Sequence, residues 1–118
     1  TERGTDTGAS SAEAAFNEGR YAEAIDRLRA YLGVQDDDER ARLALGVSLL
    51  ERNQDSLAIT VFEKIAAGES TLVPYGNWYL ALAAVKRGNT EEALSFLALI
   101  PESDTYLANR VRKLKATL

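Results

Sequence analysis

The chain repeats one ten-residue pattern three times, as GRYAEAIDRL at 19–28, NQDSLAITVF at 53–62 and GNTEEALSFL at 88–97. The three copies begin 34 and 35 residues apart. A period near 34 residues is the length of one helix–turn–helix unit in a stacked helical array. Such an array binds with an extended surface rather than acting through a chemical site. The repeat therefore predicts the kind of protein, but it does not identify a partner.

The length and composition fit one domain with a substantial core. Of the 118 residues, 46% are hydrophobic and 27% are charged, as in ordinary soluble globular proteins. No apolar segment approaches the roughly 20 residues that a membrane-spanning helix needs, and no signal-peptide pattern opens the chain. Because the chain begins with Thr1 and contains no Met, we expect it to be a piece of a longer protein.

The charge and the missing residue types exclude several classes of function. The net charge of −4 argues against binding to nucleic acid or to other phosphates. Cys and His are both absent, which removes disulfides, thiol chemistry, imidazole metal sites and the commonest general base. The glycine-rich phosphate-loop patterns are absent as well. We therefore expect no cofactor, no metal site and no catalytic residue.

Apolar residues recur with helical spacing from about residue 9 to the end, and no segment alternates with a period of two. The pattern predicts an all-α fold of seven helices. We expect a right-handed α-solenoid of three helix–turn–helix repeats at about 9–34, 38–69 and 72–101, followed by a capping helix at 104–118. Residues 1–8, in the polar stretch TERGTDTGAS, are predicted to form a flexible lead-in.

Turn and capping residues predict where the helices begin and end. Gly33 follows the second helix, where a left-handed residue would end it. The acidic run 36–39 is placed to cap the third helix, and Ser70 or Thr71 to cap the fifth, with Pro74 in its first turn. Ser103 or Asp104 is expected to cap the last helix.

Each repeat places the same type of residue at the same positions. Positions for small residues, which let two helices approach closely, hold Ala12, Gly46 and Ala81, and then Ala24, Ala58 and Ala93. Positions for large residues hold Leu28, Phe62 and Leu97, and then Tyr31, Ile65 and Ile100. The turn within each repeat carries Gly19, Asn53 and Gly88, where a positive φ is expected.

These positions resemble the tetratricopeptide repeat family over about residues 9–100. The family's small first-helix residue, its turn glycine and its second-helix alanine all have counterparts here. The signature tryptophan position instead holds Gly8, Arg42 and Asn77, and the closing proline is missing. The run NWYLALAAVKRGNTEEALSFL at 77–97 also looks like the last repeat of tetratricopeptide domains in membrane-anchored bacterial proteins. That likeness favours a periplasmic domain, with a cytoplasmic location as the alternative.

The resemblance implies that the first helix of each repeat lines a concave groove that contacts a protein or peptide. The positions carried over are Glu13, Phe16 and Asn17, then Arg40, Leu43, Val47 and Leu50, then Tyr75, Trp78, Tyr79, Leu82 and Lys86. Apolar, aromatic and arginine side chains dominate the binding energy of protein interfaces. The alternative interpretation is that Trp78 and Tyr79 bury against the last helix.

Three features that could suggest a binding site have simpler structural interpretations. The family's carboxylate clamp needs lysine and asparagine together, and Asn17 lacks a lysine partner, so we expect no clamp. The run 36–39 lacks the spaced oxygen ligands and the mid-loop glycine of a calcium loop, so helix capping is favoured. The basic residues of the last helix are expected to form a solvated face: Arg110, Arg112, Lys113 and Lys115.

Three functions remain open at the level of sequence. The first is a protein-interaction module that binds a peptide or a partner-protein segment in the groove. The second is a structural role, in which the array forms a homodimer or braces a larger bacterial protein. The third is a metal-free hydrolase. No nucleic-acid partner and no membrane insertion of this segment are expected.

Overall fold

The computed structural model describes residues 8–118, and the regular secondary structure in that range is all helical. Seven helices follow one another, as the sequence predicts: α1 (Ala9–Asn17), α2 (Tyr21–Leu32), α3 (Glu39–Glu51), α4 (Asp55–Ala66), α5 (Val73–Lys86), α6 (Thr90–Leu97) and α7 (Thr105–Thr117). The predicted lead-in lies outside the described residues except for Gly8. None of the described helices combines the length and the apolar character needed to cross a bilayer.

The turns within the three repeats share one backbone geometry. Gly19, Asn53 and Gly88 have φ values of 76°, 61° and 76°, which confirms the positive φ predicted there. In each turn the next amide bonds back to a carbonyl five residues earlier, with N···O distances of 2.8 to 2.9 Å. Such bonds satisfy carbonyls left open at a helix C-terminus. Asparagine serves in the middle repeat because it tolerates the left-handed region better than other residues with a side chain.

Two predictions about helix ends were wrong. Gly33 has a φ of −63°, so it ends α2 in the right-handed region rather than the left-handed one. The fifth helix has Leu72 as its N-cap, with no side-chain cap. Ser70 lies too early in the chain, where its hydroxyl oxygen accepts a 3.1 Å hydrogen bond from the Leu72 amide. Pro74 does lie in the first turn of α5.

Side-chain caps are present at the N-termini of α3, α6 and α7. The carboxylates of Asp38 and Asp104 accept hydrogen bonds from the amides of Ala41 and Leu107, at 3.0 and 3.1 Å. Asn89 caps α6 in the same way, through the Glu92 amide at 3.0 Å. Each bond satisfies one amide that the first helical turn leaves open.

The structure divides into two compact units, Thr1–Val61 and Phe62–Leu118. In the first unit α2 packs against both α1 and α3. In the second, α5 packs mainly against α6 and also against α7. The small positions of the repeat are all buried, as predicted, and of the large positions only Tyr31 is half-buried. The core cluster of the second unit consists of Trp78, Ala81, Leu97, Ile100, Leu107 and Val111.

Candidate protein-binding surfaces

The first unit presents a half-exposed stripe on α3. Arg40 is exposed, whereas Leu43, Val47 and Leu50 are half-buried at spacings of three or four residues. The opposite side of α3 supplies buried residues such as Leu49. Because helical residues three and four apart share a face, these four side chains form one surface, the α3 stripe.

The second unit presents the corresponding stripe on α5. Tyr75, Tyr79 and Leu82 are half-buried and Lys86 is exposed, at spacings of four, three and four residues. These four residues, the α5 stripe, share one face of the helix. The stripe contains two of the five tyrosines of the chain, so it is the more aromatic of the two.

The side chains of the α5 stripe are held by packing against buried residues. The ring of Tyr79 stacks on that of Phe62, with centroids 5.1 Å apart and an angle of 15° between the planes. Tyr75, Tyr79 and Leu82 all pack against the core cluster. Stacked aromatic pairs contribute about 0.5–1.5 kcal/mol beyond the area they bury. The exposed edges of the stripe are therefore held in place before any partner arrives.

Trp78 lies beneath this surface rather than on it. Its side chain is 7% exposed and belongs to the core cluster together with Leu107 and Val111 of α7. This confirms the alternative interpretation, burial against the last helix, for Trp78. The sequence could not decide the matter because α5 is apolar around most of its circumference, so helical spacing does not show which of the adjacent residues Trp78 and Tyr79 faces the core.

The end of α7 nearest the α5 stripe adds polar groups that the sequence pattern did not assign to a binding surface. Burial raises the pKa of Tyr75, and the negative charge of Asp104 adds to the effect, so the hydroxyl remains a neutral donor. Tyr106 is 55% exposed, and the Arg110 guanidinium lies 4.6 Å from the centroid of its ring. A cation over a tyrosine face is weakly attracted to the ring. The i, i+4 spacing of Tyr106 and Arg110 is the signal that sequence reasoning could have used.

In α1 the three predicted groove residues differ in exposure. Phe16 is half-buried and meets Tyr21 edge to face, with centroids 6.0 Å apart. Glu13 and Asn17 are exposed. The aromatic pair holds the turn between α1 and α2, so Phe16 has a structural task in the first unit.

The acidic run before α3 is tied to a buried arginine. Arg42 is 8% exposed, forms an ion pair with Glu39 and donates a hydrogen bond to the Asp36 carbonyl oxygen. Asp38 caps the helix. Within residues 8–118, no group of three acidic side chains is arranged to hold a metal ion. The capping interpretation is therefore confirmed for Asp38.

Comparison with known proteins identifies related sequences and structures. A family model described as tetratricopeptide repeat matches residues 10–77, which is more than half of the chain. The crystal structure of the type III secretion translocator chaperone SycD from Yersinia enterocolitica, described as an alternative dimer, is similar, with a TM-score of 0.73. The two proteins are 25% identical, and the match covers 96% of this chain and 94% of that one. No curated protein sequence matches significantly.

Proposed function

Because the chain belongs to the tetratricopeptide repeat family, we propose that it is a protein-interaction module in which the α3 stripe and the α5 stripe each bind apolar side chains of a peptide or of a segment of a partner protein. The observation that carries the proposal is the α5 stripe, which offers half-exposed tyrosine and leucine side chains packed against buried residues. Tyrosine supplies a large contact area at a small cost in conformational entropy.

The composition of the stripes indicates the chemistry of the segment. Six of the eight stripe residues are half-buried leucine, valine or tyrosine, and the other two, Arg40 and Lys86, are exposed and positively charged. A complementary segment carries apolar side chains, with an acidic group at its edge. The similarity to SycD, which is described as a chaperone, supports a role in shielding such a segment from water.

Peptide binding tests this proposal. We would measure the fluorescence anisotropy of labelled peptides rich in leucine and aromatic residues, against polar peptides of the same length. Leu43→Ala and Leu82→Ala should each weaken binding of an apolar peptide at its own stripe about fivefold, since such a truncation costs about 1 kcal/mol at an interface. Circular dichroism should show an unchanged helical signal.

A matched control distinguishes binding at the stripes from a general effect of exposed apolar side chains. Leu57 on α4 is 48% exposed and belongs to neither stripe, so Leu57→Ala should leave the affinity within about twofold. Equal losses for Leu57→Ala and for the stripe variants would contradict the proposal, as would the absence of saturable binding by any apolar peptide.

The structural alternative also has a specific observation in its favour, because the similar SycD structure is described as a dimer. Sedimentation over a range of concentrations tests it. A tight dimer that Leu43→Ala and Leu82→Ala dissociate would mean that the stripes serve self-association instead of binding a separate partner.

A further inference from the structure

The order of the helices gives α7 the place of a first helix. Within each repeat, a three-residue turn joins the first helix to the second, at 18–20, 52–54 and 87–89. Longer connectors join one repeat to the next, at 33–38, 67–72 and 98–104. Because α7 follows a long connector, it corresponds to α1, α3 and α5. In the second unit, α5 has α6 as its packed second helix.

An open groove of about 160 Å³ lies beside α7. Its walls come from the end of α6, the following connector and one face of α7, where the lining residues have helical spacing. The lining consists of Leu97, Ala98, Ile100, Glu102, Ala108, Val111, Arg112 and Lys115. We call this space the α6–α7 groove.

The rim of this groove is charged. Arg112 and Lys115 stand on the α7 side and Glu102 on the connector side. Four cations occur on α7, at 110, 112, 113 and 115, with no carboxylate on the helix. None of the four forms an ion pair with any residue of 8–118; Arg110 lies over Tyr106 and Arg112 donates to the Asn109 side chain. This basic helix belongs to a chain whose net charge is −4.

We propose that the α6–α7 groove binds an acidic amphipathic helix of a partner protein, which packs beside α7 as second helices pack beside first helices. One or two apolar side chains of that helix enter the groove, and its carboxylates face Arg112 and Lys115. Leu99, which is 63% exposed on the adjoining connector, widens the apolar contact. This surface is separate from the stripes, so it adds a second partner site to the module.

The same features disfavour two other basic-surface ligands. A helix that inserts into an anionic membrane needs a free apolar face, but Leu107 and Val111 of α7 are buried in the core cluster. Nucleic acid binds through phosphates and stacked bases, whereas this groove has an apolar floor and a carboxylate, Glu102, on its rim. An acidic protein helix matches both the apolar floor and the cations.

Designed peptides test the proposal even though the natural partner is unidentified. One labelled peptide, as long as α7, would carry leucines at helical spacing flanked by glutamates, and a second would carry lysines in place of the glutamates. We expect saturable binding of the glutamate peptide and at least tenfold weaker binding of the lysine peptide. Replacing Arg112 and Lys115 together by Glu should weaken the glutamate peptide about tenfold and strengthen the lysine peptide.

Two further variants distinguish binding in the groove from a general effect of the positive charge on α7. Replacing Arg110 and Lys113 together by Glu makes the same change of charge on the same helix at residues outside the groove lining, and should cost less than about threefold. Ala98→Trp fills the groove from an exposed position without changing any charge, and should abolish binding. Equal losses for the Arg110 and Lys113 pair and for the Arg112 and Lys115 pair would overturn the proposal, as would equal affinity for the two peptides.

The test of the α6–α7 groove can be distinguished from the test of the stripes. Reversing Arg112 and Lys115 should cause the same loss of affinity for the glutamate peptide in a chain that already carries Leu43→Ala and Leu82→Ala. If Ala98→Trp instead dissociates a dimer observed by sedimentation, the occupant is a second copy of this chain and the proposed partner helix is wrong.

Discussion

The hydroxyl of Tyr31 donates a 2.7 Å hydrogen bond to the carboxylate of Asp38. The other carboxylate oxygen of Asp38 accepts from the Ala41 amide at 3.0 Å. One side chain therefore joins the last turn of α2 to the first turn of α3. The bond from Tyr31 lowers the pKa of Asp38 most strongly; partial burial opposes it, and the Ala41 amide adds to the lowering.

Removing this carboxylate should destabilise the first unit in a pH-dependent way. Asp38→Ala should lower the free energy of unfolding at neutral pH by about 1–2 kcal/mol, the usual range for a lost N-cap. Because the pKa of Asp38 is lower in the folded than in the unfolded chain, its contribution is complete above the unfolded value of about 3.9 and is lost as the pH falls through the folded value. Urea unfolding at pH 7 and at acidic pH measures the difference.

Two companion variants sharpen that experiment. Tyr31→Phe removes the hydroxyl but keeps the cap, so it should cost about 1 kcal/mol or less at neutral pH. The neighbouring Asp37 is exposed and makes no cap, so Asp37→Ala should change the free energy of unfolding by less than about 0.5 kcal/mol. Equal effects of Asp37→Ala and Asp38→Ala would show that general charge, rather than this pair of hydrogen bonds, is responsible.

Gly76 lets α5 approach α4 closely in the second unit. A Cβ at position 76 would lie 3.0 Å from the Ala66 nitrogen, 3.1 Å from the Phe62 oxygen and 3.2 Å from Ile65 Cγ2. Two of these atoms are backbone, which cannot move aside cheaply. Gly76→Ala should therefore lower the free energy of unfolding by about 1–2 kcal/mol, in spite of the better helix propensity of Ala.

Gly33 provides the matched control for Gly76. Its φ is −63°, and the nearest atoms to an added Cβ lie at the ordinary distances of 3.4 and 3.5 Å. Gly33→Ala should therefore raise the free energy of unfolding, by up to about 1 kcal/mol, because it restricts the unfolded chain. Thermal and urea unfolding of both variants would measure the effects, and the same sign for the two would contradict the argument from close approach.

Buried Arg42 should prove important for the stability of the first unit. Arg42→Leu removes the partner of Glu39 and of the Asp36 carbonyl oxygen, so we expect a loss of about 1–3 kcal/mol in the free energy of unfolding. The expected loss is smaller than for a fully buried pair because the Glu39 side chain is 24% exposed. Arg40→Leu, at an exposed position of the same helix, should change the free energy of unfolding by less than about 0.5 kcal/mol. Urea unfolding of the two variants measures the difference.

Sequence reasoning succeeded where one physical requirement leaves few residue choices. A positive φ admits glycine and, at some cost, asparagine, so the repeat alone was enough to assign Gly19 and Asn53 to their turns. It failed at Gly33, because glycine is permitted in the left-handed region but not confined to it. It also missed the burial of Arg42, since a charged residue in a helix is normally exposed and one of its partners comes from the preceding connector.

The candidate surfaces were predicted less completely than the fold. Helical spacing identified the α5 stripe, but it could not distinguish Trp78 in the core from the adjacent Tyr79 at the surface. The basic residues of α7 were assigned to a solvated face because their spacing carries no information about a neighbouring groove. That groove depends on where α6 ends: the Leu99 and Ile100 amides bond three residues back, which tightens the chain after Leu97.

Replacement of Trp78 should act through stability rather than through loss of a binding contact. Because its ring is 7% exposed among Leu97, Leu107 and Val111, Trp78→Ala should lower the free energy of unfolding by about 3–5 kcal/mol. Trp78→Phe leaves a smaller cavity and should cost less than Trp78→Ala. Urea unfolding followed by circular dichroism gives both values.

Binding measured on the Trp78→Phe variant decides between the two roles of Trp78. At low temperature and without denaturant, where Trp78→Phe remains folded, its affinity for an apolar peptide should match that of the unmodified chain within about twofold. A tenfold loss of affinity without a change in stability would place the Trp78 ring in the binding surface. Leu82→Ala provides the opposite pattern for comparison, because a half-exposed stripe residue should affect binding more than stability.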